Sequence, residues 1–101
     1  MTEYSMQAKL TTEFIGTFFL TLTICTAAAF GTAGSHAPFA IASTLMVMIY
    51  AGGHVSGAHY NPAVTVSIYM RGACEKSDVA PYIASQVAAG VAAALVASNV
   101  L

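Results

Sequence analysis

Residues 39–70 form an apolar stretch of 32 residues, broken only by Ser56-Gly57-Ala58-His59-Tyr60-Asn61-Pro62, a run that suits neither helix nor strand. One helix crossing a bilayer needs about 20 residues, so the stretch is too long for one span and too short for two. Irregular backbone at membrane depth survives only where protein buries it or where it lines a water-filled cavity. The break is therefore the first place to look for a pore or a binding site.

Composition supports a lipid setting for the whole chain. Asp, Glu, Lys and Arg make up 7% of the 101 residues, against about 25% in an ordinary soluble domain. The apolar share is 57%, and much of the remainder is Gly, Ser and Thr, which helices in lipid accommodate well. Seven charges could not cover the surface of a soluble fold of this size. The length allows at most one small domain, and the expected class is an all-α integral membrane protein. A net charge of −1 with no basic patch gives no reason to expect a nucleic-acid partner. Cys25 lies in an apolar run and Cys74 in a charged connection, at different depths, so two free thiols are expected. The first apolar run is about 20 residues long, which fits a retained span better than a cleaved signal peptide.

The expected layout is span, span, re-entrant half-helix, span, over residues 1–101 as one unit. The first span covers about residues 10–30 and contains a single charge, Glu13. An uncharged turn follows, and Pro38 suits the first turn of the next helix. The second span covers residues 39–55 and weakens toward Gly52, Gly53 and Gly57, each glycine costing a helix about 1 kcal/mol relative to alanine. Asn61 as N-cap and Pro62 as first helical residue then start a new helix. From residue 62 to 70 that helix is about 13.5 Å long, under half of the roughly 30 Å hydrocarbon core. It would run from mid-membrane to a charged connection at residues 71–78. The last span is expected over residues 79–101, with Pro81 near its start. No internal repeat is visible.

Lys9, Arg71 and Lys76 are the only Lys or Arg residues. Positive charge favours the cytoplasmic side. A cytoplasmic amino terminus puts all three on one side, provided that residues 56–70 enter and leave by the same face.

The run from Ser56 to Thr65 resembles the aquaporin and glycerol-facilitator family, whose first repeat carries Ser-Gly-Ala-His-x-Asn-Pro-Ala-Val-Thr. Thr12-Glu13-Phe14-Ile15-Gly16-Thr17, Gly53-His54-Val55 and Tyr82-Ile83-Ala84-Ser85-Gln86 resemble other parts of the same repeat. The likeness covers about residues 10–101. It implies three transmembrane helices plus one re-entrant half-helix, and a passive channel for water or small uncharged solutes rather than an enzyme. It implies no cofactor, a plasma (bacterial inner) membrane location, membrane lipid as surroundings and tetramer assembly. Members of the family carry two such repeats, inverted relative to each other. This sequence contains one, so a second, inverted half is the partner that a complete pore would require.

The resemblance also assigns roles. Asn61, Pro62 and Ala63 would mark the pore centre. There the Asn61 amide offers hydrogens to a passing oxygen, and the half-helix start carries about half a positive charge that repels cations. The backbone carbonyls of Gly57, Ala58, His59 and Tyr60 would line one wall as acceptors. Glu13, assisted by Gln86, would accept N–H groups of the loop and fix its carbonyls toward the lumen; the alternative is a Glu13 lying at the interface. Ile41, twenty residues before Asn61, would sit at the selectivity constriction. There a Phe would suggest water and a Trp glycerol, and Ile matches neither. The bland alternative is a core or lipid-facing isoleucine.

His54 and His59 are five apart across a glycine break, not the i, i+4 pair of a helical metal site, so structural histidines are expected and no metal. Gly53 and Gly57 form a Gly-x-x-x-Gly pair that would permit close helix approach. Two other functions stay open. One is an intramembrane serine hydrolase using Ser56 and a histidine, for which no acid or oxyanion arrangement is evident. The other is a non-conducting truncated subunit that needs a partner half. Two copies of this chain could complete a pore only in opposite orientations, which the one-sided Lys and Arg pattern opposes. The isolated chain is expected to conduct poorly.

Overall fold

The computed structural model describes residues 4–101. Helix α1 spans Met6–Thr23 and continues as a wider π-helical segment over Ile24–Ala29. A 3-10 turn at Gly34–His36 leads into α2, Ala37–Ser56, and α3 is the half-helix Pro62–Met70. Helix α4 spans Lys76–Val100. Among the described residues there is no strand, and three helical stretches are long and apolar enough to cross a membrane: Met6–Ala29, Gly34–Ser56 and Lys76–Val100. The chain is thus an all-helical membrane protein with three long helices and one half-helix.

Local chemistry explains most of the helix ends. The Ser5 side chain accepts the Ala8 N–H at 3.1 Å and caps α1, so the helix begins earlier than the apolar run does. The π-helical segment closes with the Phe30 N–H donating to the Cys25 carbonyl, and the Thr26 hydroxyl bonds back to the Leu22 and Thr23 carbonyls. Pro38 stands in the first turn of α2, where a missing N–H is harmless. Helix α4 starts at Lys76, which leaves Pro81 inside the helix. A proline there cannot donate to the carbonyl four residues earlier, and that carbonyl sits in the helix's opening turns near the surface.

Helix α1 is central. It packs against α2 on one side and α4 on the other, while α3 packs against α4. The α1–α4 seam is built from small and polar residues: Tyr82, Gln86, Ala89, Ala93 and Ala97 recur at helical spacing and are buried, and Glu13, Gly16 and Thr17 are buried on α1. Small side chains let two helices approach closely where lipid offers no hydrophobic incentive to associate. The large apolar residues face outward, among them Phe39, Tyr50, Val91 and Leu95, as a lipid solvent allows.

The two helices of the seam run in the same direction. Lys9 lies 3.9 Å from Asp78 at one end, the Ser85 hydroxyl donates to the Leu10 carbonyl at 2.8 Å, and Thr21 stands beside Gly90 farther along. Between them the chain turns into α3 and returns, so the 71–78 connection and Lys9 share one end of the molecule. Cys25 and Cys74 are both free.

One expectation about glycines is corrected. Gly57 is the left-handed residue (φ 88°) that ends α2, and a Cβ on Gly53 would meet only ordinary contacts from Ala58 and Ile49. The Gly53–Gly57 pair therefore brings no helices together. The close approaches are at Gly16 and Gly52, where an added Cβ would collide with the Tyr60 side chain.

Candidate functional site: the Asn-Pro turn and its buried anchor

Between α2 and α3 lie residues 57–61, and their backbone is unusual. Gly57, Ala58 and Tyr60 have φ of 88°, 55° and 57°. Left-handed backbone is free for the glycine, but at Ala58 and Tyr60 it costs about 1–3 kcal/mol each. Something must hold it.

The Glu13 carboxylate does so. It is fully buried and accepts four hydrogen bonds: Oε2 from the Ser56 hydroxyl (2.7 Å) and the His59 N–H (3.0 Å), Oε1 from the Tyr60 N–H (2.7 Å) and Gln86 Nε2 (2.8 Å). Hydrogen bonds to a charged group contribute about 1.5–3 kcal/mol each, enough to outweigh the two strained residues. Glu13 sits inside the protein rather than at a lipid interface.

A second layer supports the first. Gln86 Nε2 also donates to Thr65 Oγ1 at 2.9 Å, and the same oxygen lies 3.0 Å from His59 Nδ1. The His59 ring lies against Tyr82, with centroids 5.0 Å apart, and the Tyr82 hydroxyl donates to the Ser56 carbonyl at 2.7 Å. Thr65 is fully buried on α3. One network therefore ties α1, the loop, α3 and α4. Sequence reasoning singled out Glu13 and Gln86 but missed Thr65 and Tyr82. Their signal was present: Thr65 closes the quoted ten-residue run, and Tyr82 stands one helical turn before Gln86.

The loop's donors and acceptors are treated differently. The N–H groups of Ala58, His59 and Tyr60 are taken by Ser56 Oγ and by Glu13. The carbonyls of residues 57–60 accept no hydrogen bond from the described residues. At the helix start, Asn61 is extended (φ −163°, ψ 130°) and its Oδ1 accepts the Ala63 N–H at 2.8 Å. Its Nδ2 donates to none of the described residues, and Asn61 is solvent-accessible.

Other expected site residues fall elsewhere or play other parts. Pro62 opens α3 and Ala63 supplies the capped N–H. The Tyr60 side chain is buried, and its hydroxyl donates to the Met48 carbonyl on α2 at 2.7 Å. Ile41 is half-buried near the far end of α2, about 22 Å from Ser56 along the helix; the structure does not bring it to the loop. His54 is exposed and meets Tyr4 edge-on, apart from the buried His59 network. The Ser56 hydroxyl is buried and spends its hydrogen on Glu13, the reverse of a nucleophile paired with a histidine base.

At the end bearing Lys9, an open pocket of about 290 Å³ is lined by Lys9, Ser56, Gly57, His59, Cys74 and Asp78, among others. It leads from the charged connection to the underside of the loop. Burial, then the nearby Asp78 charge, pushes the Cys74 thiol above its usual pKa.

Known proteins resemble this chain along most of its length. The family model described as Major intrinsic protein matches residues 9–101. The chain is 40% identical over 98 residues to Aquaporin Z of Photorhabdus laumondii, covering 90% of this chain and 42% of that protein. It is 38% identical over 92 residues to Aquaporin NIP1-2 of Arabidopsis thaliana, covering 85% of this chain and 31% of that one. The chain thus spans less than half the length of these curated relatives. No solved structure matches it.

Proposed function

Since the chain belongs to the major intrinsic protein family, a family of channels and not of enzymes, we propose that it forms one wall of a passive path for water or small uncharged solutes. The observation that carries this reading is the asymmetry of the loop. Its N–H groups turn inward to Glu13 and Ser56, while the carbonyls of Gly57, Ala58, His59 and Tyr60 are left to find partners outside the described fold. Buried unpaired carbonyls would be costly. Water moving past them supplies the missing donors.

In this reading a water hydrogen-bonds to successive carbonyls and reaches Asn61, whose Nδ2 donates to the water oxygen. The positive start of α3 points at the same place and disfavours cations and hydrated protons. Ile41 contributes to an outer constriction, and its aliphatic side chain leaves the choice among neutral solutes to the opposing wall. The pocket beside Lys9 is the cytoplasmic mouth, with the amino terminus on the same side. The opposing wall comes from a second, inverted half, and assembly into tetramers follows the family pattern.

Stopped-flow swelling of proteoliposomes tests the proposal. The chain alone is expected to resemble empty vesicles. Co-reconstitution with the remaining part of the Photorhabdus relative is expected to accelerate swelling, and Asn61→Asp to abolish the gain. Swelling that stays at the empty-vesicle rate in both preparations would overturn the reading.

A further inference from the structure

The solute path proposed above uses only the backbone of Tyr60, yet its side chain is among the most buried in the protein, 3% exposed. We propose that the Tyr60 ring is a positioning wedge that sets the depth and handedness of the pore loop, with Gly16 on α1 and Gly52 on α2 forming its socket. The inference rests on the loop being the solute path and adds the device that holds it there.

The residue is fastened at both ends to different helices. Its N–H donates to Glu13 Oε1 on α1 (2.7 Å), and its hydroxyl donates to the Met48 carbonyl on α2 (2.7 Å). A Cβ on Gly16 would fall on ring carbons Cδ1, Cε1 and Cζ; one on Gly52 would strike the Tyr60 hydroxyl and the Thr12 methyl. The socket is therefore closed to any side chain larger than hydrogen at either position.

The wedge also explains how a left-handed, non-glycine residue is tolerated next to Asn61. At φ 57° the backbone throws the side chain back between α1 and α2, where it fills the seam. Beside the ring a groove of about 190 Å³, lined by Thr12, Ile15, Met48 and Ala51 among others, remains open. Tyr60 and its two socket glycines line the same groove. Removing the ring would empty the α1–α2 seam and leave the loop to its polar contacts with Glu13, Ser56 and Thr65.

Amide hydrogen exchange of the full chain in lipid nanodiscs tests this without requiring conduction. Tyr60→Ala is expected to speed exchange of the His59 and Tyr60-position amides by about 10-fold or more, while Ala89, Ala93 and Ala97 on α4 stay near wild type. Tyr60→Phe, which keeps the ring, is expected to stay within about 3-fold. Gly16→Ala should speed loop exchange in the Tyr60 background and add nothing in Tyr60→Ala, where the vacated space takes the methyl. Unchanged loop exchange in Tyr60→Ala, or an equal effect of Gly16→Ala in both backgrounds, overturns the proposal. If Tyr60→Ala does not fold, Tyr60→Leu carries the same cycle with Gly16→Ala. A failed swelling assay would sink the channel reading and leave this result standing.

Discussion

Glu13 Oε1 lies 2.7 Å from the Tyr60 amide nitrogen, although 47 residues separate the two in the chain. Through this contact a carboxylate on the first helix controls the backbone of a loop that lies beyond the second. The carboxylate's other oxygen does the same for His59. Which groups of the loop stay unpaired is thus decided on a different helix.

Replacing Glu13 by Gln tests the anchor. Glutamine is nearly isosteric but turns an NH₂ group toward donors that need an acceptor. With two of four charge-assisted hydrogen bonds lost, the expected loss is about 3–5 kcal/mol. Reversible unfolding in mixed micelles should register it. A loss under about 1 kcal/mol would mean that the carboxylate is not what holds the loop.

Asn61 separates capping from transport. Asn61→Asp keeps an oxygen for the Ala63 N–H and suits the positive helix start, so stability should stay within about 0.5 kcal/mol. Asn61→Ala removes the cap and should lose about 1 kcal/mol. Both lack the amide hydrogens, and both should abolish the swelling gained with the complementary half. Asn61→Asp that conducts as well as wild type would remove Nδ2 from the proposed path.

Gly52 and Gly53 are adjacent but should respond oppositely to alanine. At Gly52 the methyl meets the Tyr60 hydroxyl and Thr12, and overpacking of this kind costs about 1–3 kcal/mol. At Gly53 the nearest atoms are 3.9 Å away, so alanine should be neutral or gain up to about 1 kcal/mol of helix stability. Thermal unfolding of the two variants decides between this picture and a Gly53–Gly57 packing motif.

Cys74 reports on the proposed mouth. Its thiol is shifted upward by burial first and by Asp78 second, so less thiolate is present at any pH below its midpoint. Alkylation by iodoacetamide should reach half its limiting rate at a pH above the ordinary thiol value. Asp78→Asn removes a like charge and should lower that midpoint. A midpoint at or below the ordinary value, or one unmoved by Asp78→Asn, would contradict the assigned environment.

Several features are legible in the sequence because their causes are local. Helix length set against bilayer thickness required a half-helix somewhere in residues 39–70. Asn61-Pro62 located its start, since a side-chain cap and a proline without an N–H act within one turn. Gly53 and Gly57 were misjudged because glycine spacing alone does not say which face meets a neighbour. Gly57 was needed for a positive φ, and the packing glycines were Gly16 and Gly52, a pair spread over two helices.

The amino-acid order by itself determined an all-helical membrane chain with one helix interruption before Asn61-Pro62, because burial preference, helix capping and segment length are properties of neighbouring residues. Only the tertiary structure decided what anchors that break. Glu13, Gln86, Thr65 and Tyr60 meet across 21 to 73 residues of sequence, and the donors of a strained loop can be satisfied only after separate helices have packed.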